Sequence, residues 1–170
     1  MSATIPHTKV LYFHGLDSSR ESKKFNVIDL EKKFCINVDY RNLSFQSVAD
    51  FYDNIIQKIT PDIIVGHCVG GYWALKLSLA YQIPCVIANP NLFPDFRDDY
   101  PAILDHDLDH DIPQFAYLEL GDEILNMHEI KAHLENYMPI TAVDTGHHQL
   151  QHPENINPLI QQIESAFLNK

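Results

Sequence analysis

Residues 62 to 74 read Asp-Ile-Ile-Val-Gly-His-Cys-Val-Gly-Gly-Tyr-Trp-Ala, an apolar strand running through small residues into a helix with one reactive side chain, Cys68, at the bend. This is the pattern of a nucleophile elbow, usually written G-x-S-x-G, with cysteine at the serine position. The elbow puts its nucleophile on a strained turn, where a β-carbon on the flanking residues would strike neighbouring backbone, and here Gly66, Gly70 and Gly71 fill those places. A thiol at the amino end of a helix meets unpaired N–H groups and the positive end of the helix dipole, which favour the thiolate and should lower its pKa. The chemistry such a group suits is attack on an acyl carbon. That reaction also needs a base, an acid to orient the base, and donors for the oxyanion that develops.

In open α/β sheets the groups that could fill those roles gather at the carboxyl ends of the strands. Four predicted strand ends carry them: His14-Gly15-Leu16-Asp17-Ser18-Ser19, then Cys68, then Gly121-Asp122-Glu123, then Gly146-His147-His148. The chain order is nucleophile, acid, histidine. Asp122 leaves its strand where a carboxylate could accept an imidazole N–H and fix its tautomer, with Glu123 as competitor. His147 and His148 both stand where the base is needed. Backbone N–H groups of Val69 and Leu16 are the oxyanion donors such a turn would supply. His14, Ser18, His67, Tyr72 and His147 are candidates for the pocket. Each residue also has a plainer use: Cys68 as a small turn residue, Asp122 in a Gly-Asp turn, His14 as a brace for the turn after it, Ser18 and Ser19 as helix caps, and His67 and Tyr72 as buried side chains.

The elements that must hold these residues alternate short β-rich runs with helix-length amphipathic segments, which makes the class α/β with a mostly parallel sheet and helices on both faces. Strands are predicted near 9–13, 35–40, 62–66, 84–88, 115–120 and 139–143, and helices over 20–33, 45–59, 71–81, 126–136 and 154–168. From Asn89 to Pro113 the rhythm breaks, with four prolines and the run Asp105-His106-Asp107-Leu108-Asp109-His110-Asp111. Residues 91–113 are read as an exposed acidic lid or rim, since long loops over a site commonly shape access to it. A calcium loop starting at Asp105 would need glycine where His110 stands and glutamate where Ala116 stands, so no metal is expected.

Composition narrows the classes. The 170 residues, 45% hydrophobic and 21% charged, suit one domain over 1–170 with no linker or repeat. A formal net charge of -11 would repel phosphate backbones and anionic lipid surfaces, so neither nucleic acid nor membrane is an expected partner. The three cysteines, Cys35, Cys68 and Cys85, lack C-x-x-C spacing, and Cys35 and Cys85 lie in strand-like runs as small buried hydrophobes. The first residues, Met1 to Thr8, show no basic region leading into an apolar stretch, and no apolar run approaches the roughly 20 residues that cross a bilayer, so a cytoplasmic protein is expected. Gly66-x-Cys68-x-Gly70-Gly71 is neither G-x-G-x-x-G nor a P-loop, and no cofactor is implied.

The elbow and the strand-end motifs together resemble the α/β-hydrolase superfamily, and more closely its small single-domain YqiA-type bacterial esterases. Those carry in turn H-G-F/L-x-S-S, G-x-S-x-G-G-Y, A-x-N-P, G-D-E-x-L and G-x-H. This chain corresponds with His14 to Ser19, Gly66 to Tyr72, Ala88-Asn89-Pro90 (without the residue between Ala and Asn), Gly121 to Leu125 and Gly146-His147-His148, and carries cysteine at the nucleophile. The resemblance implies a minimal α/β-hydrolase fold, His148 as base, Asp122 as its partner and Glu123 in a surface or capping role. It also implies a small acyl ester or thioester as substrate. Dienelactone hydrolases, of the same superfamily, use cysteine, which points to activated or enol-type esters. The alternatives are a binding module on a hydrolase fold that has lost its serine, and a serine esterase carrying an introduced serine-to-cysteine change.

Overall fold

Six strands, β1 (Lys9–Phe13), β2 (Lys32–Cys35), β3 (Ile63–Cys68), β4 (Cys85–Pro90), β5 (Gln114–Glu119) and β6 (Ile140–Val143), form one sheet, every pair parallel, in the spatial order β2-β1-β3-β4-β5-β6. The computed structural model describes residues 8–168; residues 1–7 and 169–170, which the single-domain reading includes, lie outside the described residues. The order of winding reverses between β1 and β3, so the crevice at their carboxyl ends opens between the loop after Phe13 and the loop after His67.

The strands are buried on both faces, as a parallel sheet requires, and alternate side chains feed two cores. Leu11, Phe13, Ile64, Ile87, Ala116 and Leu118 pack beneath α2 (Phe45–Ile59), α3 (Val69–Tyr81) and α5 (Met127–Leu134). Val10, Tyr12, Ile63, Val65, Val86 and Tyr117 pack on the opposite face against Ile28 and α6 (Ile156–Ile163). The helices form where their residues allow. Ser44 caps α2 by accepting the Ser47 N–H at 3.0 Å, and the helix then buries Val48, Tyr52 and Ile56, one per turn. α3 is apolar nearly all round and lies in the middle of its layer, against β1, β3 and β4. Among the described residues no helix is long and apolar enough to cross a membrane.

Three expected elements differ. The helix expected over 20–33 is a single turn, α1 (Lys23–Asn26), and the strand expected at 35–40 lies earlier, at Lys32–Cys35. One residue explains much of both shifts. The Lys33 ammonium donates to the carbonyls of Phe25, Asn26 and Ile28 at 3.1, 2.9 and 3.0 Å and lies 5.0 Å from the Phe25 ring centre, so it closes off the helix from the strand that follows. Residues 36–40 in turn serve the crevice: the Val38 N–H and the Tyr40 hydroxyl both bond to His14. The helix expected over 154–168 is a 3-10 turn (Pro153–Asn155), then α6, then a π turn (Glu164–Leu168).

The segment from residue 91 to 113 includes only the one-turn α4 (Asp105–Leu108). Leu92, Tyr100, Ile103 and Leu108 are buried while Phe93 and Leu104 remain exposed, so the segment is anchored at several points. Asp107 is buried too, 3.4 Å from the Lys76 ammonium of α3.

Ile163 on α6 is fully buried against the second core. Ile163→Ala is expected to cost about 2–5 kcal/mol, read as a lower urea midpoint with an unchanged slope, because the cavity it leaves is lined by rigid sheet residues.

Candidate active site

Cys68 ends β3 and precedes α3 with backbone angles φ 56° and ψ -120°, a conformation that residues with a β-carbon rarely adopt. The glycines on either side make that bend possible. A β-carbon on Gly66 would run into the Gly70 carbonyl, and one on Gly70 into the carbonyls of Phe13 and His14. The Cys68 carbonyl accepts the Asn91 N–H at 3.0 Å, which fixes the turn from the other side. Strain of this kind costs of order 1–3 kcal/mol and collects where a side chain must be aimed.

His148 meets Asp122. Its Nδ1–H donates to Asp122 Oδ2 at 2.8 Å, which leaves Nε2 as the nitrogen not engaged by the carboxylate. Burial alone would lower the His148 pKa, but hydrogen bonds to Asp122 and to Cys68 outweigh it and raise the pKa to about 10. Asp122 is buried, which would raise its own pKa. Bonds from His148, from the backbone N–H groups of Leu125 (2.8 Å) and Ile124 (2.7 Å) and from Asn89 (2.9 Å) hold it down to about 2. The histidine is gripped through its backbone as well. Its N–H donates to Glu123 Oε2 at 3.1 Å, and its carbonyl accepts from His67 Nε2 at 2.7 Å.

His67 is fully buried beside Cys68, its Nδ1 without a hydrogen-bond partner among the described residues and its pKa pushed by burial down to about 3, so it stays neutral. His14 is the brace its sequence suggested. Its Nδ1–H donates to the Gly15 carbonyl at 2.8 Å and its Nε2 accepts from the Val38 N–H at 2.9 Å, which defines the tautomer and fixes the turn after β1. Burial lowers its pKa also. On that turn the Leu16 N–H has no partner among the described residues, and Val69, as the first residue of α3, has no intrahelical acceptor for its own.

Three candidates sit elsewhere. The His147 side chain is mostly exposed and lies 4.0 Å from the Glu123 carboxylate, away from Asp122. The Tyr72 hydroxyl donates to the Pro101 carbonyl at 2.6 Å, tying the 91–104 stretch to α3. Ser18 lines a surface depression of about 410 Å³ with Ser19, Asn37 and Asp39. Cys35 and Cys85 are buried thiols whose pKa is pushed up to about 12 by desolvation. Among the described residues no group of three His, Cys, Asp or Glu could hold a metal ion.

Asn89 was not picked out as a site residue. The register between β3 and β4 slips there, His67 pairing with Ala88 and Cys68 with Pro90, so Asn89 bulges out with φ 39°. The bulge turns its amide toward β5. Oδ1 accepts the Glu119 N–H at 2.8 Å, and Nδ2 donates to the Glu119 carbonyl and to Asp122. An Asn-Pro pair ending a strand was the available signal, since asparagine tolerates positive φ and proline cannot continue the ladder.

Comparison with known proteins places the chain in a family and a fold. The profile of an uncharacterised protein family, UPF0227, matches residues 9–120, including the elbow but ending before Asp122 and His148. A UPF0227 protein of Enterobacter sp. strain 638 is 27% identical over 92% of this chain and 97% of its own length; YcfP of Escherichia coli, of the same family, is 26% identical over the same shares. Among solved structures, an α/β-superfamily protein of Xanthomonas campestris superposes with a TM-score of 0.76 at 14% identity, covering 96% of this chain and all of that one. Est1E of Butyrivibrio proteoclasticus superposes with a TM-score of 0.70 at 13% identity, covering 97% and 90%. The architecture is that of the α/β hydrolases.

The Asp122–His148 bond makes stability depend on pH from both sides. Asp122, with its pKa depressed to about 2, contributes above its unfolded value of about 3.9 and loses that contribution as the pH falls toward 2. His148, with its pKa raised to about 10, contributes below its unfolded value of about 6.5 and loses that contribution as the pH rises through 10. The stability difference between the natural chain and Asp122→Asn, measured by urea unfolding, should therefore peak between about pH 4 and 6.5 and shrink on either side.

Proposed function

Because this chain belongs to the uncharacterised protein family UPF0227 and has the α/β-hydrolase fold, we propose that it is a carboxylic ester or thioester hydrolase working through Cys68, His148 and Asp122. The observation that carries this reading is the His148 ring, bonded at Nδ1 to the buried Asp122 carboxylate and raised in pKa by that carboxylate and by the Cys68 thiol of the strained elbow. A turn that needed only a small residue would have no use for an imidazole held beside it by three separate partners.

In the proposed cycle Cys68 Sγ attacks the acyl carbon while its proton resides on His148 Nε2. The carbonyl electron pair moves onto oxygen, where the N–H groups of Leu16 and Val69 receive it. Collapse of the tetrahedral species breaks the bond to the alcohol or thiol, which takes the proton from Nε2 and leaves. Water then gives a proton to Nε2 as its oxygen attacks the thioester, and the Cys68 thiolate is expelled with the free acid as product. Asp122 holds the imidazole in one tautomer throughout. An imidazole whose pKa is raised toward 10 is already protonated at neutral pH. Such a group is a weak base toward a serine hydroxyl and a good partner for a thiolate, so the cysteine and its histidine are matched. A thiolate leaves readily, which favours esters whose own leaving group is good, such as enol or aryl esters. The anchored 91–113 segment, joined to the elbow at Asn91, forms the rim that shapes access.

A panel of p-nitrophenyl and thioester substrates tests this with the natural chain, Cys68→Ser, Cys68→Ala and His148→Ala. Cys68→Ala should be inactive, and His148→Ala should lose about 10²–10⁴-fold in kcat/KM. A natural chain as inert as Cys68→Ser, both folded, would point to the binding-module alternative. Activity present only in Cys68→Ser would mark the chain as a serine esterase carrying a substitution.

A further inference from the structure

The loop that carries His148 has no regular secondary structure of its own between Gly146 and His152, yet it must hold one ring to within a fraction of an ångström. Its support comes from the last residue of β5. Glu119 is fully buried, and its carboxylate accepts four hydrogen bonds. Oε1 takes the backbone N–H groups of His147 at 3.0 Å and Gln151 at 2.7 Å, and Oε2 takes the His152 N–H and the Tyr117 hydroxyl at 2.8 and 2.7 Å. Three of the four therefore come from residues on either side of His148. Gly146, at φ 95°, lies so close that a β-carbon there would overlap the Glu119 side chain. No cation pairs with Glu119 among the described residues. Burial would raise its pKa, but the loop's N–H groups and the tyrosine hydroxyl outweigh that and hold it ionised.

We infer that Glu119 is a positioning residue: its buried carboxylate sets the 146–152 loop so that His148 reaches Asp122 with one nitrogen and Cys68 with the other. The inference rests on the proposed role of the Cys68–His148 pair. The same strand end thus carries two carboxylates with different tasks. Asp122 bonds the imidazole, while Glu119, three residues earlier, bonds the backbone that delivers it. Asn89 links them, gripping the Glu119 main chain and the Asp122 carboxylate with one amide. Only an ionised carboxylate satisfies four donors at once. An amide in its place would turn an NH₂ group toward N–H donors and force the loop to shift.

The test is Glu119→Gln, read by the rate of Cys68 alkylation by iodoacetamide as a function of pH, with each cysteine mapped by mass spectrometry. Proton NMR of the His148–Asp122 hydrogen bond and kcat and KM on a p-nitrophenyl ester complete it. In a folded Glu119→Gln protein, Cys68 alkylation at pH 7 and kcat should each fall by about 10- to 100-fold while KM changes little, since small misplacements of reacting groups cost that much. The downfield His148 proton should broaden or vanish. A variant that melts earlier but keeps the alkylation profile, the proton resonance and kcat would overturn the proposal and leave Glu119 a purely structural residue. If Glu119→Gln does not fold, Tyr117→Phe, which removes one of the four donors, should move the same readouts in the same direction, and no movement would overturn it. The outcomes separate the two claims. Cys68 in the natural chain reacting no faster than Cys35 and Cys85 defeats the hydrolase reading, whereas a fast Cys68 unaffected by Glu119→Gln defeats only the positioning role.

Discussion

The bend at Cys68 governs the rest of the molecule, because a strand and a helix can be joined so sharply only if backbone passes where side chains would normally be. Gly66 and Gly70 lie against each other and Gly70 against the end of β1. That close approach brings the turn after β1 against Cys68 at the amino end of α3. The apolar burial of β3 and α3 on all sides offsets the strain. Relaxing the bend would separate the groups that it brings together.

A second constraint is electrostatic. Two carboxylates, Glu119 and Asp122, are buried within one short stretch, and ionised carboxylates in such places must be fully bonded. The protein meets that demand with backbone N–H groups, an asparagine amide, a tyrosine hydroxyl and the His148 ring, and among the described residues no lysine or arginine bonds either carboxylate. The raised pKa of the imidazole reflects Asp122 and Cys68. It also ties the loops after β4, β5 and β6 into one hydrogen-bonded unit.

Much of this was legible in the order of motifs. Gly66 to Gly71 announced the elbow, and the Gly-Asp and Gly-His-His strand ends supplied Asp122 and His148 in the expected order, because each is a local pattern whose spacing survives in the sequence. His14 as a brace followed from its place before Gly15. Asn89 and Glu119 were harder to find, since their importance lies in contacts about 30 residues away that no local spacing encodes. Asn89 matters through a slip in strand register, and Glu119 looked like one more residue of a strand. The displaced β2 and shortened α1 have a similar origin: helical periodicity ran on through residues 27–33, but pairing with β1 and the three carbonyls held by Lys33 claimed that stretch instead. Local propensity loses where a tertiary partner offers more bonds.

The three cysteines show how far position outweighs residue type. Cys35 and Cys85 lie within strands, where desolvation opposes ionisation and raises their pKa to about 12. Cys68, with 5% of its surface exposed, lies between Cys85 at 0% and Cys35 at 7%, so exposure does not distinguish it. What does is its company: a helix start, two N–H groups on adjoining turns, and an imidazole whose far nitrogen is bonded to a carboxylate. A pair of side chains on two different loops must be held at a fixed separation, and the buried hydrogen bonds at the end of β5 are placed to do that for Cys68 and His148.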